Sequence, residues 1–282
     1  MYIITFCYFW MKVLQTIESI HSVYETGSRP VLVTCDDRNW WVCKSGYQPS
    51  VIFNELIAAQ FAKIWGIRVP DSAFIQVQEQ HIPAEYIPFI QKSWFKKECF
   101  GSFYSETAKE FDHATLPMFR ERNFRNKFKN KSDFLKIALF DLWLGNEDRN
   151  YNNFNLLFDT GADGNYHFFA IDHGAIFNTS SLDYGMCQLT EDDSILKTDL
   201  AKVLFSKNTA THRIVDELIE MYYLCTLECK DKLPEILALV PQSWNLNMED
   251  LGKKISDALF SDQWLAACED TFRNYIKYFI LN

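Results

Sequence analysis

The stretch from Asp141 to Gly174 concentrates side chains that could carry out chemistry. Asp148 and Asn153 form a D-x-x-x-x-N pattern in a short loop, and Asp172 follows a second apolar segment. The spacing predicts that these two carboxylates and one amide surround a single point. Phosphoryl transfer needs such a set, because one carboxylate orients the attacking hydroxyl while an amide and a second carboxylate hold magnesium against a triphosphate.

The neighbouring patterns predict the elements that position these groups. Residues 132–144 begin with serine, carry an apolar stripe and are followed by glycine, which predicts a buried helix leading into the loop. Residues 154–158 and 166–171 are typical of two strands joined as a hairpin. Asp172 is therefore expected at a strand end, close to the loop that carries Asp148.

A second group of polar residues lies nearer the N-terminus. Residues 31–35 and 40–44 predict a hairpin that ends at Lys44, and residues 50–65 predict a helix. Glu55 stands among apolar neighbours in this helix. A carboxylate buried there would be costly without a cation, and Lys44 is the expected partner.

The turn at residues 25–30 precedes this hairpin and contains Gly27, which can take positive φ, and Pro30, which stiffens the entry to the strand. Two interpretations stay open for it. It is either a turn that covers phosphates or an ordinary loop.

The order of predicted elements indicates two lobes. Prolines at positions 70, 83 and 88 and mixed polarity predict a connection, which divides the chain into an N-lobe of residues 1–85 and a C-lobe of residues 86–282. Residues 100–103 resemble a turn. Beyond Gly174 the apolar spacing predicts helices at 198–205, 211–223, 233–239, 248–260 and 261–279, with Pro234 in the first turn of the third.

Composition limits the class of protein. A hydrophobic content of 48 % is ample for a sizeable core, and a net charge of −9 argues against a protein whose main task is to coat nucleic acid. Eight scattered cysteines, without paired C-x-x-C units, indicate reduced thiols and a cytoplasmic location, and no membrane span is expected. The apolar residues 1–10 are either a strand or an extension upstream of a natural start at Met11.

The segment at residues 120–131 carries six basic side chains and one acid, interleaved with Phe124 and Phe128. Such a run is either a solvated face or a contact for an acidic partner or RNA.

These parts occur in the order that a kinase-like phosphotransferase requires. The chain resembles the HipA-like kinases, in particular the compact form without the extra N-terminal subdomain. The resemblance covers roughly residues 12–280 and is strongest in TGSRPVLV, WVCK, NELIAAQFAKIWGIRVP, DLWLGNEDRNYNN and AIDHGAIF. The loop at residues 145–153 departs from the family pattern at Asn150, where family members commonly have histidine.

This resemblance implies an α+β, bilobal, protein-kinase-like fold. The small N-lobe would hold an antiparallel sheet and one helix, and the larger C-lobe would be mainly helical. The implied site residues are Asp148 as the catalytic residue, Asn153 and Asp172 as Mg²⁺ ligands, Lys44 on the phosphates with Glu55 holding it, and Gly27 and Ser28 over the triphosphate. The metal motif would lie at residues 171–174.

The implied activity is that of an ATP- and Mg²⁺-dependent serine/threonine kinase acting on a protein hydroxyl. The resemblance further implies a toxin or regulatory role, an antitoxin or other partner protein, and autophosphorylation at Ser28. Two alternatives stay open: an inactive nucleotide-binding pseudokinase, and an enzyme that transfers the nucleotidyl (AMP) group on the same fold.

Overall fold

A computed structural model of the chain describes residues 10–205 and 210–282. The N-terminal segment 1–9, for which a strand and an upstream extension were both open, lies outside the described residues. The chain divides into two compact units. The first contains residues up to Gln60, Asp71–Tyr104 and Lys232–Met248, and the second contains Phe61–Pro70, Ser105–Asp231 and Glu249–Asn282.

The first unit is built on a six-stranded sheet. Its strands are β1 (Lys12–Gln15), β2 (Ser22–Val23), β3 (Val31–Thr34), β4 (Trp40–Lys44), β5 (Ser72–Gln76) and β6 (Cys99–Phe103). They lie in the order β1-β5-β6-β4-β3-β2. All neighbours are antiparallel except β1 and β5, which are parallel, so the sheet is mixed.

Strand β6 replaces the turn expected at residues 100–103, and that expectation was wrong. A Cβ atom on Gly101 would lie 2.2 Å from Cδ1 of Ile75, so the glycine makes room for a side chain on the neighbouring strand. The first unit continues to Tyr104, whereas the sequence placed the end of the N-lobe at residue 85.

Helix α1 (Pro49–Ile64) follows β4, close to the predicted bounds. It is apolar on nearly all sides, which is typical of a buried helix. The chain leaves it through Gly66, whose φ of 61° is the left-handed conformation expected of a glycine after a helix.

The second unit combines a three-stranded antiparallel sheet with most of the helices. Its strands are β7 (Lys109–Glu110), β8 (Leu156–Thr160) and β9 (Tyr166–Ala170). The helices after residue 105 are α2 (Leu116–Arg120), α3 (Arg122–Arg125), α4 (Ser132–Leu144), α5 (Ile176–Ser180), α6 (Asp199–Phe205), α7 (Thr211–Leu237), α8 (Met248–Leu259) and α9 (Asp262–Ile276). No helix within the described residues is long and apolar enough to span a bilayer.

Helix α4 occupies the core of this unit and has the predicted bounds. Two tryptophans connect it to the C-terminal helices. Nε1 of Trp143 donates to the carbonyl of Leu259 at 3.0 Å, and Nε1 of Trp264 donates to the carbonyl of Trp143 at 3.0 Å. These bonds satisfy polar atoms in a core that is otherwise aromatic and aliphatic.

Helix α7 is continuous where the sequence predicted two helices, at residues 211–223 and 233–239. Pro234 lies inside it rather than in a first turn. The intervening residues lack a clear apolar stripe but are rich in leucine, glutamate and lysine, which favour helix by intrinsic propensity.

Candidate active site

Lys44 and Glu55 form an ion pair in the first unit. Lys44 is the last residue of β4, and its Nζ donates to Oε1 of Glu55 on α1. The two side chains are only 12 % and 5 % exposed. The pairing expected from the sequence is thus confirmed, and the lysine is held in place because both charges are largely removed from water and compensate each other.

A cavity of about 370 Å³ opens beside this pair. Gly27, Ser28 and Lys44 all line it, together with the N-terminal part of α1. The turn at residues 25–30 therefore faces the lysine, as a phosphate-covering turn would. Its left-handed residue is Arg29, with a φ of 44°, and not Gly27.

Arg29 holds this unfavourable conformation through contacts at both its backbone and its side chain. Its N–H donates to the carbonyl of Thr26 at 3.0 Å, and its Nη1 donates to the carbonyl of Phe89 at 2.5 Å. The turn is thereby joined to the long connection between β5 and β6.

Asp148 lies in the second unit, in the loop that follows α4. Gly145 ends the helix with a φ of 60°, and a Cβ atom there would lie 2.8 Å from Cε of Met186. Both carboxylate oxygens of Asp148 accept hydrogen bonds from amides: Oδ1 from Nδ2 of Asn153 at 3.0 Å, and Oδ2 from Nδ2 of Asn155 at 3.2 Å. The carboxylate is held in one orientation and remains only half-buried.

Asn150, at the position where family members commonly have histidine, forms hydrogen bonds that fix the backbone of the loop. Its Oδ1 accepts the backbone N–H groups of Asn152 at 3.0 Å and Asn153 at 3.3 Å. Its Nδ2 donates to the carbonyl of Glu147 at 3.1 Å. An asparagine side chain can make these bonds without taking up a proton, so the loop geometry does not depend on a titrating group.

Asn153 and Asp172 offer oxygen atoms of the kind that Mg²⁺ prefers. Because Nδ2 of Asn153 donates to Asp148, its Oδ1 points elsewhere, and no described residue donates to it. Asp172 is half-buried directly after β9, with a φ of 56°. Among the described residues no group of three or more His, Cys, Asp or Glu side chains could hold a metal ion, so a cation at Asn153 and Asp172 would need further ligands from a substrate.

Arg149 connects the loop to the strand end, and reasoning from the sequence did not assign it this role. Its side chain is completely buried. Nη1 donates to Oδ1 of Asp141 at 2.7 Å, and Nη2 donates to the carbonyl of Ile171 at 2.6 Å. Ile171 also donates its N–H to the carbonyl of Asn155 at 3.0 Å. The residues that precede Asp172 are therefore tied to those that surround Asp148.

Asp141 and His173 surround the buried guanidinium of Arg149. His173 is buried, with Nε2 at 3.2 Å from Nη2 of Arg149. Burial raises the pKa of Asp141, while Arg149 and Asn146 act in the opposite direction. Oδ2 of Asp141 has no hydrogen-bond partner among the described residues, so the ion pair with Arg149 is the main compensation for burying this carboxylate.

The profile of the HipA-like kinase family matches residues 17–276. The chain belongs to the HipA-like kinase family. It is therefore a protein-kinase-like phosphotransferase by family. A comparison with curated protein sequences finds no match.

The chain is also similar to solved structures of kinases. The crystal structure of the Helicobacter pylori proinflammatory kinase CtkA is similar with a TM-score of 0.50 and 14 % identity, over 92 % of this chain and 99 % of that chain. The Golgi casein kinase is similar with a TM-score of 0.48 and 11 % identity, over 95 % of this chain and 73 % of that chain. The same kinase with Mn/ADP bound has a TM-score of 0.42. The likeness to CtkA shows a kinase-like α+β fold.

This HipA-like kinase has a left-handed turn after its IDHG segment. Phe177, Asn178 and Thr179 have φ values of 60°, 45° and 50°. Oε1 of Glu147 accepts from Nδ2 of Asn178 at 3.2 Å, and Oε2 accepts from Oγ1 of Thr179 at 2.9 Å. Strain of this kind persists only where neighbouring contacts hold it, and here the loop beside Asp148 supplies them.

The candidate residues thus form two groups. Gly27, Ser28, Lys44 and Glu55 belong to the first unit, and Asp148, Asn153 and Asp172 belong to the second. Within each group the side chains are close together or are joined through a shared neighbour. Asn155 and Arg149 are the additions that the structure makes to the second group.

Proposed function

We propose that this protein is an ATP- and Mg²⁺-dependent serine/threonine protein kinase. The observation that carries the proposal is the fixed carboxylate of Asp148, with one amide on each oxygen and a surface that stays accessible. A carboxylate in this state can accept a hydrogen bond from an incoming hydroxyl without reorganising, which is what phosphoryl transfer to an alcohol requires.

The roles of the other residues follow from their chemistry. Lys44, held by Glu55, would neutralise charge on the α and β phosphates, and the turn with Gly27 and Ser28 would cover the triphosphate. Oδ1 of Asn153 and the carboxylate of Asp172 would hold Mg²⁺, which when bound neutralises charge on the phosphate oxygens.

The proposed chemical step needs only ATP, the substrate hydroxyl and the residues named above. The hydroxyl oxygen of a serine or threonine forms a bond to the γ-phosphorus, and the bond from that phosphorus to the β–γ bridging oxygen breaks. The hydroxyl proton goes to Asp148, and ADP leaves with the bridging oxygen. Arg149 holds the backbone around Asp148 and Ile171 throughout.

Labelled ATP tests this proposal. Incubation with Mg²⁺ and a mixture of candidate proteins should transfer label from the γ position, and Asp148→Asn and Asp172→Asn should each abolish it. Label transferred only from the α position would replace the proposal with nucleotidyl transfer. Absence of any label, together with a rise in melting temperature on adding ATP and Mg²⁺, would leave the nucleotide-binding pseudokinase alternative, and absence of both would refute ATP binding altogether.

We also propose autophosphorylation at Ser28 as a means of regulation. Ser28 is half-buried and lines the cavity beside Lys44, so a phosphate there would occupy the space proposed for the triphosphate. Mass spectrometry after incubation with ATP and Mg²⁺ should find phosphate at Ser28 in the native chain and none in Asp148→Asn. An unmodified Ser28 in an enzyme that phosphorylates other proteins would refute this mode of regulation alone.

The family resemblance supports a toxin or regulatory role with an antitoxin as partner, which we include in the proposal. Expression of the native chain should arrest growth of a bacterial host, and expression of Asp148→Asn should not. Equal growth with both chains would remove the toxin role and leave the kinase activity untouched.

A further inference from the structure

The basic segment, residues 120–131, divides its two kinds of side chain between the interior and the surface. Phe128 is 2 % exposed and stacks on Phe168 with ring centroids 4.7 Å apart. Phe124 packs edge-on against Phe119 at 5.1 Å. Phe128 is therefore part of the core of the second unit, and together with the half-buried Phe124 it anchors a segment whose cations are exposed or half-buried.

The packing of these aromatic rings favours an acidic partner over RNA, the two partners that the sequence left open. Proteins that bind single-stranded nucleic acid interleave cations with exposed aromatic faces on which bases stack. Phe128 has no such face to offer because other rings cover it, and the half-buried ring of Phe124 already packs against Phe158. The charge of the segment remains, but the stacking that favours RNA is lost.

Three of the six cations already contact a carboxylate, a carbonyl or an aromatic ring. Arg120 lies 4.0 Å from Asp199, Arg125 donates to the carbonyl of Phe119 at 3.1 Å, and Lys127 lies over the ring of Tyr166 at 5.3 Å. The other three, Arg122, Lys129 and Lys131, have no anionic partner among the described residues.

Lys131 is partly buried without such a partner. Burial and the nearby Arg125 lower its pKa. The adjacent carboxylate, Asp133, forms ion pairs with Arg68 at 3.0 Å and Lys136 at 3.8 Å instead. A cation that loses water without gaining an anion raises the free energy of the folded state, and a bound anion would relieve it.

Lys129 and Lys131 line one cavity of about 330 Å³. Asn126 and Ser132 add neutral hydrogen-bonding groups, and the buried rings of Phe128 and Phe205 add apolar surface. None of the described lining residues is acidic. The cavity therefore combines positive charge with an apolar wall, which suits a carboxylate carried on a short aliphatic stem.

We propose that this cavity docks a glutamate-rich segment of a partner protein. The carboxylates would pair with Lys129 and Lys131 while the methylene groups pack on Ile214, the half-buried aliphatic residue of the lining. Lysine acts as a point charge, and no arginine among the described lining residues offers the planar bidentate fork that adds geometric specificity for phosphoryl groups. The inference does not rest on the phosphotransfer activity.

Fluorescence anisotropy with a labelled glutamate-rich peptide tests the proposal. The native chain should bind the peptide, and binding should weaken as salt rises, because the pairs are partly exposed. The double variant Lys129→Ala/Lys131→Ala should raise Kd roughly tenfold. Lys131→Arg, which retains the charge, should bind nearly as well as the native chain.

A matched control separates the cavity from general charge effects. Lys92→Ala/Lys253→Ala removes the same two charges from exposed positions elsewhere, and should leave Kd within about twofold of the native value. Thermal melting of both double variants checks that they fold.

Three results would overturn the proposal. The native chain could fail to bind the peptide, the two double variants could weaken binding equally, or a single-stranded RNA or a phosphopeptide could bind more tightly than the glutamate-rich peptide.

Discussion

Replacing Arg149 by methionine is the sharpest test of the structure around Asp148. Arg149 is completely buried and donates to Asp141 at 2.7 Å and to the carbonyl of Ile171 at 2.6 Å. Methionine fills most of the same space, so the change removes charge and hydrogen bonds more than volume. Asp141 would then be a buried carboxylate whose one remaining side-chain donor among the described residues is Nδ2 of Asn146, at 2.9 Å from Oδ1.

The expected loss follows from that unpaired charge. Removing one partner of a buried ion pair costs about 3–5 kcal/mol, and most of this cost comes from the charge left behind. At about 2–4 °C per kcal/mol for a chain of this order of size, the melting temperature should fall by roughly 6–20 °C. Urea unfolding followed by circular dichroism would measure the free energy directly.

A double-mutant cycle isolates the pair. Asp141→Leu alone leaves Arg149 buried without its anion, whereas Asp141→Leu/Arg149→Met removes both charges. The double variant should therefore be more stable than the sum of the single losses predicts, by about 2 kcal/mol or more. A loss below about 1 kcal/mol in Arg149→Met, or additive losses in the double variant, would refute the buried ion pair.

The pH dependence gives an independent check. Burial raises the pKa of Asp141, and Arg149 lowers it, so the pKa should rise further in Arg149→Met. A carboxylate whose pKa is raised in the folded state destabilises the fold at high pH, and this destabilisation is lost as pH falls towards the folded pKa. The difference in stability between the native chain and the variant should therefore shrink between pH 8 and about pH 5. A difference that is constant over this range would contradict the assignment.

Further expected outcomes concern the first unit, the loop and the thiols. Glu55→Gln should lower kcat/KM for ATP about a hundredfold while retaining the fold, because Lys44 loses the charge that positions it; an unchanged kcat/KM would show that the pair is only structural. Asn150→His should change the free energy of unfolding by less than about 1 kcal/mol in urea unfolding, since a ring nitrogen can accept one N–H and water can accept the other; a larger loss would show that both bonds are needed. In a Cys7→Ser background, iodoacetamide followed by mass spectrometry should find rapid labelling at Cys187 alone, because the other described thiols are wholly or partly buried and burial raises the pKa of several of them; rapid labelling of a second thiol would contradict this packing.

Local patterns in the sequence were sufficient for the elements that carry the site. Residues 132–144 form a helix with the predicted bounds because an apolar stripe and a following glycine are both local signals. The partnership of Lys44 with Glu55 could also be predicted, since a buried carboxylate requires a nearby cation and the hairpin offers one.

Other elements depend on neighbours that are distant in the chain. Gly101 was interpreted as part of a turn because glycine is a turn residue, but it lies in a strand because Ile75 occupies the space beside it. The basic segment at residues 120–131 was compatible with a solvated face and with a contact for an acidic partner or RNA. Only the packing of Phe128 against Phe168 shows that this ring is in the core.

The sequence by itself determined the family pattern, the secondary structure next to the site and the identity of the residues that could react. The tertiary structure decided which of their neighbours matter. Arg149 is a charged residue in a polar loop, and nothing in its local sequence indicates that it is buried. It is buried because the end of a helix, the loop itself and the end of a strand supply Asp141, Asn155 and Ile171 as its acceptors. A composition or a spacing contains no information about such a convergence, since it exists only once the chain has folded.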